Sequence, residues 1–541
     1  MNSSQKYPNP VLYGDYSDPD AIRVGEDYYM ISSSFTNTPG IPILHSRDLI
    51  HWEVIHYVLD NLPDDSYTSV RHGCGVWAPS IRFHNGEFLV FFPMPDEGIY
   101  VCRADRITGP WSTPVCIMKG SGYIDPCPFW DDDGNAYLVF ALAGSRAGKK
   151  SVLMLCRMAG DGLSVSEESR CVYDGNNTEN ETIEGPKLYK RNGYYYIFAP
   201  AGGVKCGHQT VLRSRNIFGP YEYRIVLKQG NTGVNGPHQG AWVDTPSGEN
   251  YFLHFQDVYA GGRIVHLQPL IWDHDWPVIG TRINNETFGE PAEYVEKPKD
   301  ADDSFENVKP QTSDDFKNKV LSLQWQWNAN HDENWYRFLP EGGMFLKAFP
   351  GDSLPLCDLP NLLLQKWPAP EFQCTTVLDF SELMPGECAG IVSLGQTYAG
   401  IGLYRSRKNP SDYSIRTITG ELHYQTNTSD ASQECTQIPV SGEFLKEAAY
   451  RLTFLYSVKI AKYTDEIDRL DYKGRKQWVK HIPRERITLS LCAPKELTEI
   501  PPCTIPAYAG RWVGVKNGIF SFSEKENVPE GGVIIRSVQY E

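Results

Sequence analysis

Three acids, a tryptophan and a histidine stand at matching places in five similar stretches of this 541-residue chain. They are Asp18 in YSDPDAI, Trp77 in GVWAPSI, Asp125 in GYIDPCPF, Glu184 in ETIEGPKL and His238 in NGPHQGAW. Each precedes an aromatic marker (Tyr28, Phe88, Tyr137, Tyr195 or Tyr251) by about 10 to 13 residues. Proline follows all three acids, in Asp18-Pro19, Asp125-Pro126 and Glu184-Gly185-Pro186. Proline fixes its own φ and keeps the residue before it extended, which stiffens the backbone that carries the carboxylate. One Asp-Pro alone reads as a turn. Three in register on separate repeats point to carboxylates gathered at one place. Paired carboxylates suit glycoside hydrolysis, where a protonated one donates to the leaving oxygen and an ionised one activates water. A third anion nearby raises the pKa of the acid.

The elements that must position these residues follow from the repeat. The segments GEDYYMISSSF, NGEFLVFFPMP, DGNAYLVFALA, NGYYYIFAPAG and SGENYFLHFQD share a turn followed by an aromatic-rich strand. Returning strands such as ILHSRDLIHW, IYVCRADRITGPW and TVLRSRNIFGPY also resemble one another. Hydrophobic alternation between turn signals predicts strands rather than helices. A period of about 50 to 60 residues suits a four-stranded blade, so residues 1–295 are expected to form a five-bladed β-propeller. The competing reading is a set of unrelated hairpins in a β-sandwich. In a propeller the innermost strand of each blade lines the central channel, and the five residues would then share one height on it.

Residues 296–312, EKPKDADDSFENVKPQT, are charged and without apolar periodicity, and read as a linker. Residues 313–541 return to alternating strands and predict a β-sandwich. Its Trp325, Trp327 and Trp512 would either pack its core or form a platform for carbohydrate.

Composition agrees with an all-β chain. There are 31 Tyr, 23 Phe and 13 Trp for strands, and 47 Gly and 38 Pro for turns. Lys and Arg number 51 against 67 Asp and Glu, a net charge of −16. This balance argues against a nucleic-acid or anionic-membrane partner, which needs clustered cations. No apolar run of about 18 residues occurs, and no basic stretch leads into an apolar core at the start. The 13 cysteines form no CxxC pair, so reduced thiols and a cytoplasmic location are expected. Nucleotide, zinc-protease and serine-hydrolase motifs are absent.

These motifs together, with NPVLYGDYSDPDAIRVGEDYYM, YIDPCPFWDDDG, IEGPKLYKRNGYYY and GPHQGAWV in the same order, resemble the family 43 glycoside hydrolases. That group holds β-xylosidases and α-L-arabinofuranosidases. The resemblance implies Asp18 as general base, Glu184 as general acid and Asp125 as the residue that raises and orients that acid. It implies single displacement with inversion, and no cofactor for the chemistry. Phe35 and Trp77 match aromatic positions of the sugar pocket, and Arg263 in GGRIVHL matches an arginine that binds sugar hydroxyls. His238 matches a channel histidine beside a structural calcium ion or a water cluster; a hydrogen-bonded structural histidine is the alternative.

The second half resembles the concanavalin-like domain of many β-xylosidases, which packs on the propeller and can place a residue at the pocket rim. The expected substrates are xylo-oligosaccharides or arabinose-substituted oligosaccharides, attacked from their ends. A dedicated arabinofuranosidase, a non-catalytic carbohydrate-binding propeller and a homo-oligomer stay open, whereas a retaining fructosidase-like enzyme would need a WMNDPNG-like opening that this chain lacks. One departure stands out in SSSFTNTPG: Asn37 and Thr38 replace the aromatic pair that familiar β-xylosidases carry after Phe35. This bears on pocket shape, and so on the choice between xylopyranose and arabinofuranose.

Overall fold

The computed structural model describes residues 6–541 except 285, 352–353, 425–428, 471–475, 495–496, 498 and 525–529. Five blades, each with a core of four antiparallel strands, follow one another along the first half. The fourth is extended by Gly289–Glu290, which pairs in parallel with its outer strand, and by Thr281–Arg282. The innermost strands of the blades are Asp20–Val24, Ser80–His84, Tyr123–Trp130, Lys187–Arg191 and His238–Asp244. The aromatic markers lie one strand further out, Tyr28 in Asp27–Ile31 and Tyr251 in Asn250–Asp257, for example. Asn85-Gly86 and Asn192-Gly193 turn two of these hairpins with φ of 52° and 87°, and of 52° and 72°. Both residues of such a turn need positive φ, which Asn-Gly supplies at little cost.

The ring closes through its N-terminal strand. Lys6–Pro8 pairs with Tyr294–Glu296, and Leu12 bridges to Val265 in the fifth blade. Between blades the sheets meet through aromatics and branched aliphatics. Phe91 and Phe140 pack in one seam, and Tyr196, Phe198, Phe252 and Trp276 in another. Burial of such side chains is the main favourable contribution to folding. Segment 296–312 lies against the propeller. Asp300 accepts from the Ser247 amide at 3.0 Å, Asp302 from Arg47 at 3.2 Å, and Glu306 from the Tyr7 hydroxyl at 2.9 Å.

The second half folds as two packed antiparallel-rich sheets. One is centred on Lys516–Ser523 between Leu363–Lys366 and Glu387–Leu394; the other runs through Met344–Lys347, Gly532–Tyr540 and Phe372–Asp379. Trp325 and Trp327 are buried in the core between them, with Trp367 and Phe454. Of the three tryptophans singled out by sequence, Trp512 alone is exposed, at 44%. No helix among the described residues is long and apolar enough to cross a membrane.

The two halves share a polar seam. Thr38 and Trp327 exchange backbone hydrogen bonds of 3.1 and 2.6 Å. Asn37 Nδ2 donates to the Trp327 carbonyl at 3.0 Å, and Thr38 Oγ1 to the Ala329 carbonyl at 2.6 Å. Asn37 and Thr38 therefore bind the sandwich, and their side chains are spent on that seam instead of forming a pocket wall.

Candidate active site

The site lies at the starts of the innermost strands. Asp18 precedes Asp20–Val24 by two residues, Trp77 precedes Ser80–His84 by three, and Glu184 precedes Lys187–Arg191 by three. Asp125 sits within Tyr123–Trp130, where the pairing register shifts between Ile124 and Cys127. His238 opens its own strand. Asp18 and Asp125, expected to be extended ahead of Pro19 and Pro126, instead both have φ of 55°, a left-handed backbone that non-glycine residues rarely adopt. Such geometry persists where the surroundings impose it, commonly at functional sites.

Each carboxylate has a distinct environment. Asp18 is 6% exposed, accepts from Ser33 Oγ at 2.6 Å and pairs with Arg263 Nη1 at 3.0 Å. Asp125 accepts from the Gly185 amide at 2.7 Å, so it grips the backbone immediately after Glu184. Burial, then the charge of Asp18, raises the pKa of Asp125. Glu184 keeps about a third of its side chain open, at 36%, yet protein walls surround it. Its pKa is raised by that desolvation first and by the Asp125 charge second, with Arg263 acting the other way. Both pKa values are thus raised, in each case by burial first and by a neighbouring carboxylate second, which favours a protonated carboxyl in the site.

Beneath the acids runs a buried ion network. Asp20 meets Arg82 Nη1 at 2.7 Å and Lys187 Nζ at 3.7 Å, and Lys187 donates to Ser80 Oγ at 2.6 Å. These groups fix the innermost strands of three blades against one another. Removing one partner of such a pair leaves a buried charge uncompensated, typically at about 3–5 kcal/mol.

Aromatic rings form one side of the pocket. Phe35, with φ of 52°, is clamped by reciprocal backbone bonds to Val76 of 2.8 and 3.0 Å. Its ring lies 6.4 Å from Trp77, which lies 6.1 Å from Trp512 of the sandwich. The Arg263 guanidinium sits 4.8 Å from Phe255 and 6.0 Å from Trp512. Apolar faces beside buried hydrogen-bonding groups suit a sugar ring, which presents C–H on its faces and hydroxyls on its edge.

His238 Nε2 lies 3.6 Å from Glu184 Oε1, and neither ring nitrogen has a hydrogen-bond partner among the described residues. Burial, with Arg263 and His208 nearby, pushes its pKa down to about 3, so the imidazole is neutral. Calcium takes six to eight oxygen ligands. The carboxylate beside His238 is the acid Glu184 itself, and a neutral imidazole is a poor calcium donor. His238 and Glu184 alone do not supply six to eight oxygens, so an ion held at this histidine would need further oxygen ligands from water.

All seven residues singled out by sequence therefore fall in one region. Sequence reasoning missed Ser33, Asp20, Lys187 and Asp15, which touch or brace the carboxylates, and it left Trp512 undecided. Asp20 alone carried a visible signal, as the second acid of SDPD.

The model of "Glycosyl hydrolases family 43" matches residues 7–277, and that of the "Beta xylosidase C-terminal Concanavalin A-like domain" matches residues 313–477. A putative β-xylosidase of Xylanibacter ruminicola is 40% identical over 80% of this chain and 79% of its own. The chain belongs to glycoside hydrolase family 43. It is a glycosidase of the xylosidase and arabinosidase group, built as a propeller followed by a concanavalin-like sandwich. A non-reducing end α-L-arabinofuranosidase of Bacteroides ovatus is 26% identical over 85% of this chain and 86% of its own. Among solved structures, the xylan β-1,4-xylosidase of Bacillus halodurans shares the fold with a TM-score of 0.75 at 23% identity, covering 99% of both chains.

Proposed function

We propose that this family 43 enzyme is an exo-acting, inverting glycosidase that releases terminal β-D-xylose or α-L-arabinofuranose from short oligosaccharides. The observation that carries the reading is the division of labour among Asp18, Asp125 and Glu184. Glu184, its pKa raised, keeps the proton that the leaving oxygen needs. Asp18, paired with Arg263 and hydrogen-bonded by Ser33, is the anion that takes a proton from water. The water oxygen bonds to the anomeric carbon as the glycosidic C–O bond breaks, and the Glu184 proton moves to the departing oxygen. Asp125 sustains the charge state of the acid and, through the Gly185 amide, its orientation. Every role falls to a side chain of the chain itself. Trp512, reaching from the sandwich to within 6.1 Å of Trp77, adds a wall to the pocket, which supports attack on chain ends.

Purified protein should hydrolyse p-nitrophenyl β-D-xylopyranoside, p-nitrophenyl α-L-arabinofuranoside or both. Proton NMR of the first product formed should show the anomer opposite to the substrate. Binding of oligosaccharides without turnover would instead mark a carbohydrate-binding propeller, and retention would exclude Asp18 as the base of a single displacement.

A further inference from the structure

The wall that the sandwich adds to the pocket hangs on one carboxylate of the propeller. Asp15, three residues before Asp18, is 3% exposed. Its Oδ1 accepts from the Arg263 amide and from Ser17 Oγ, both at 3.0 Å. Its Oδ2 accepts from the Gly514 amide of the sandwich at 2.8 Å. One side chain thus holds the backbone of the arginine paired with Asp18, the residue preceding Asp18, and the loop two residues beyond Trp512.

Trp512 has φ of 68°, a left-handed backbone that a bulky residue avoids unless its surroundings compel it. The compulsion comes from the seam. Val515 donates to the Ala260 carbonyl at 2.8 Å. Gly514 and Gly262 meet so closely that a Cβ on Gly514 would lie 2.8 Å from the Gly262 Cα. A Cβ on Gly262, whose φ is 80°, would lie 2.5 Å from Asp15 Oδ1.

We propose that Asp15 is a positioning residue that latches the Trp512 loop onto the propeller, so that the indole stays over the pocket while Arg263 stays aligned on Asp18. The proposal rests on the glycosidase reading. A carboxylate is the group required, because its two oxygens accept donors from opposite sides. Asparagine at this place keeps the volume, but in either orientation it turns an NH2 toward an N–H donor and gives up one side.

The test uses the full chain with Asp15→Asn, Gly514→Ala, which attacks the same seam from the sandwich, Trp512→Ala and the double variant Asp15→Asn/Trp512→Ala. On whichever aryl glycoside the wild type cleaves, Asp15→Asn and Gly514→Ala should each raise KM about ten-fold, with a smaller fall in kcat. In the double variant KM should rise by less than the product of the two single effects, because both changes loosen the Trp512 wall and only the alignment of Arg263 is lost in addition. In chains labelled with 5-fluorotryptophan, the 19F line missing from Trp512→Ala should shift or broaden in Asp15→Asn. A KM within two-fold of wild type in Asp15→Asn, effects that compound fully in the double variant, or an unmoved Trp512 line would each overturn the latch. Wild-type protein that cleaves neither aryl glycoside overturns the glycosidase reading instead, and the 19F line then decides the latch alone.

Discussion

Glu184 and Asp125 divide one task, and substituting each should leave a different signature. Glu184→Gln removes the proton that the leaving group needs, so kcat on a xylo-oligosaccharide should fall about 10²- to 10⁴-fold. On a dinitrophenyl glycoside, whose leaving group departs as a stable anion, the fall should be much smaller; an equal loss on both substrates would remove Glu184 from the role of acid. Asp125→Asn acts through charge. The anion at Asp125 raises the pKa of Glu184, so its removal lowers that pKa. The protonated acid is then lost at lower pH, and the basic limb of the kcat/KM profile should move down by about one unit. A limb that stays in place would show that Asp125 orients Glu184 without tuning it.

At the scale of elements, the left-handed turns that aim the pocket rings depend on particular glycines. Gly75 has φ of 85°, and a Cβ there would lie 2.1 Å from the Phe35 carbonyl oxygen. That carbonyl accepts the Val76 amide, so Gly75→Ala should push apart the bridge that sets Phe35 and Trp77. The expected cost is about 1–3 kcal/mol of stability, read by calorimetry, with a raised KM on the aryl glycoside. Unchanged melting and KM would mean that the bridge does not position the rings. The same geometry explains what the sequence disclosed and what it hid. Turns such as Asn85-Gly86 and the aromatic strands behind them repeat visibly, so the blades and their period were legible. The innermost strands are less so, because Pro126 and Pro128 and a register shift interrupt the alternation of Tyr123–Trp130. Asp18, Asp125 and Glu184 were found because each lies at a similar offset, 10 to 12 residues, from a marker. Asp15 has no such neighbour. Its partner Gly514 is 499 residues away, and no local pattern reports a contact made by docking two domains.

For the whole molecule, the domain seam carries a charge that should make stability depend on pH. Lys516 is 5% exposed and donates to Asn37 Oδ1 across the seam. Burial, then the charge of Lys366, pushes its pKa down from 10.5 to about 7, with Asp15 opposing. Between about pH 7 and 10.5 the unfolded chain keeps a proton on Lys516 that the folded chain has released. Stability therefore rises with pH across that window, whereas at pH 7 and below the folded chain bears the full cost of an ammonium in the seam. Lys516→Met removes the charge and leaves Asn37 Oδ1 without this donor, a cost that does not vary with pH. The difference in Tm between variant and wild type should thus favour the variant most at pH 6 to 7 and shrink toward pH 10. Effects of other groups that titrate over this range are common to both proteins and cancel in the difference. A Tm difference that stays flat would mean that Lys516 remains charged when folded, with water reaching the seam. The seam would then be a wet contact that lets the sandwich shift on the propeller, at odds with a Trp512 held over the sugar.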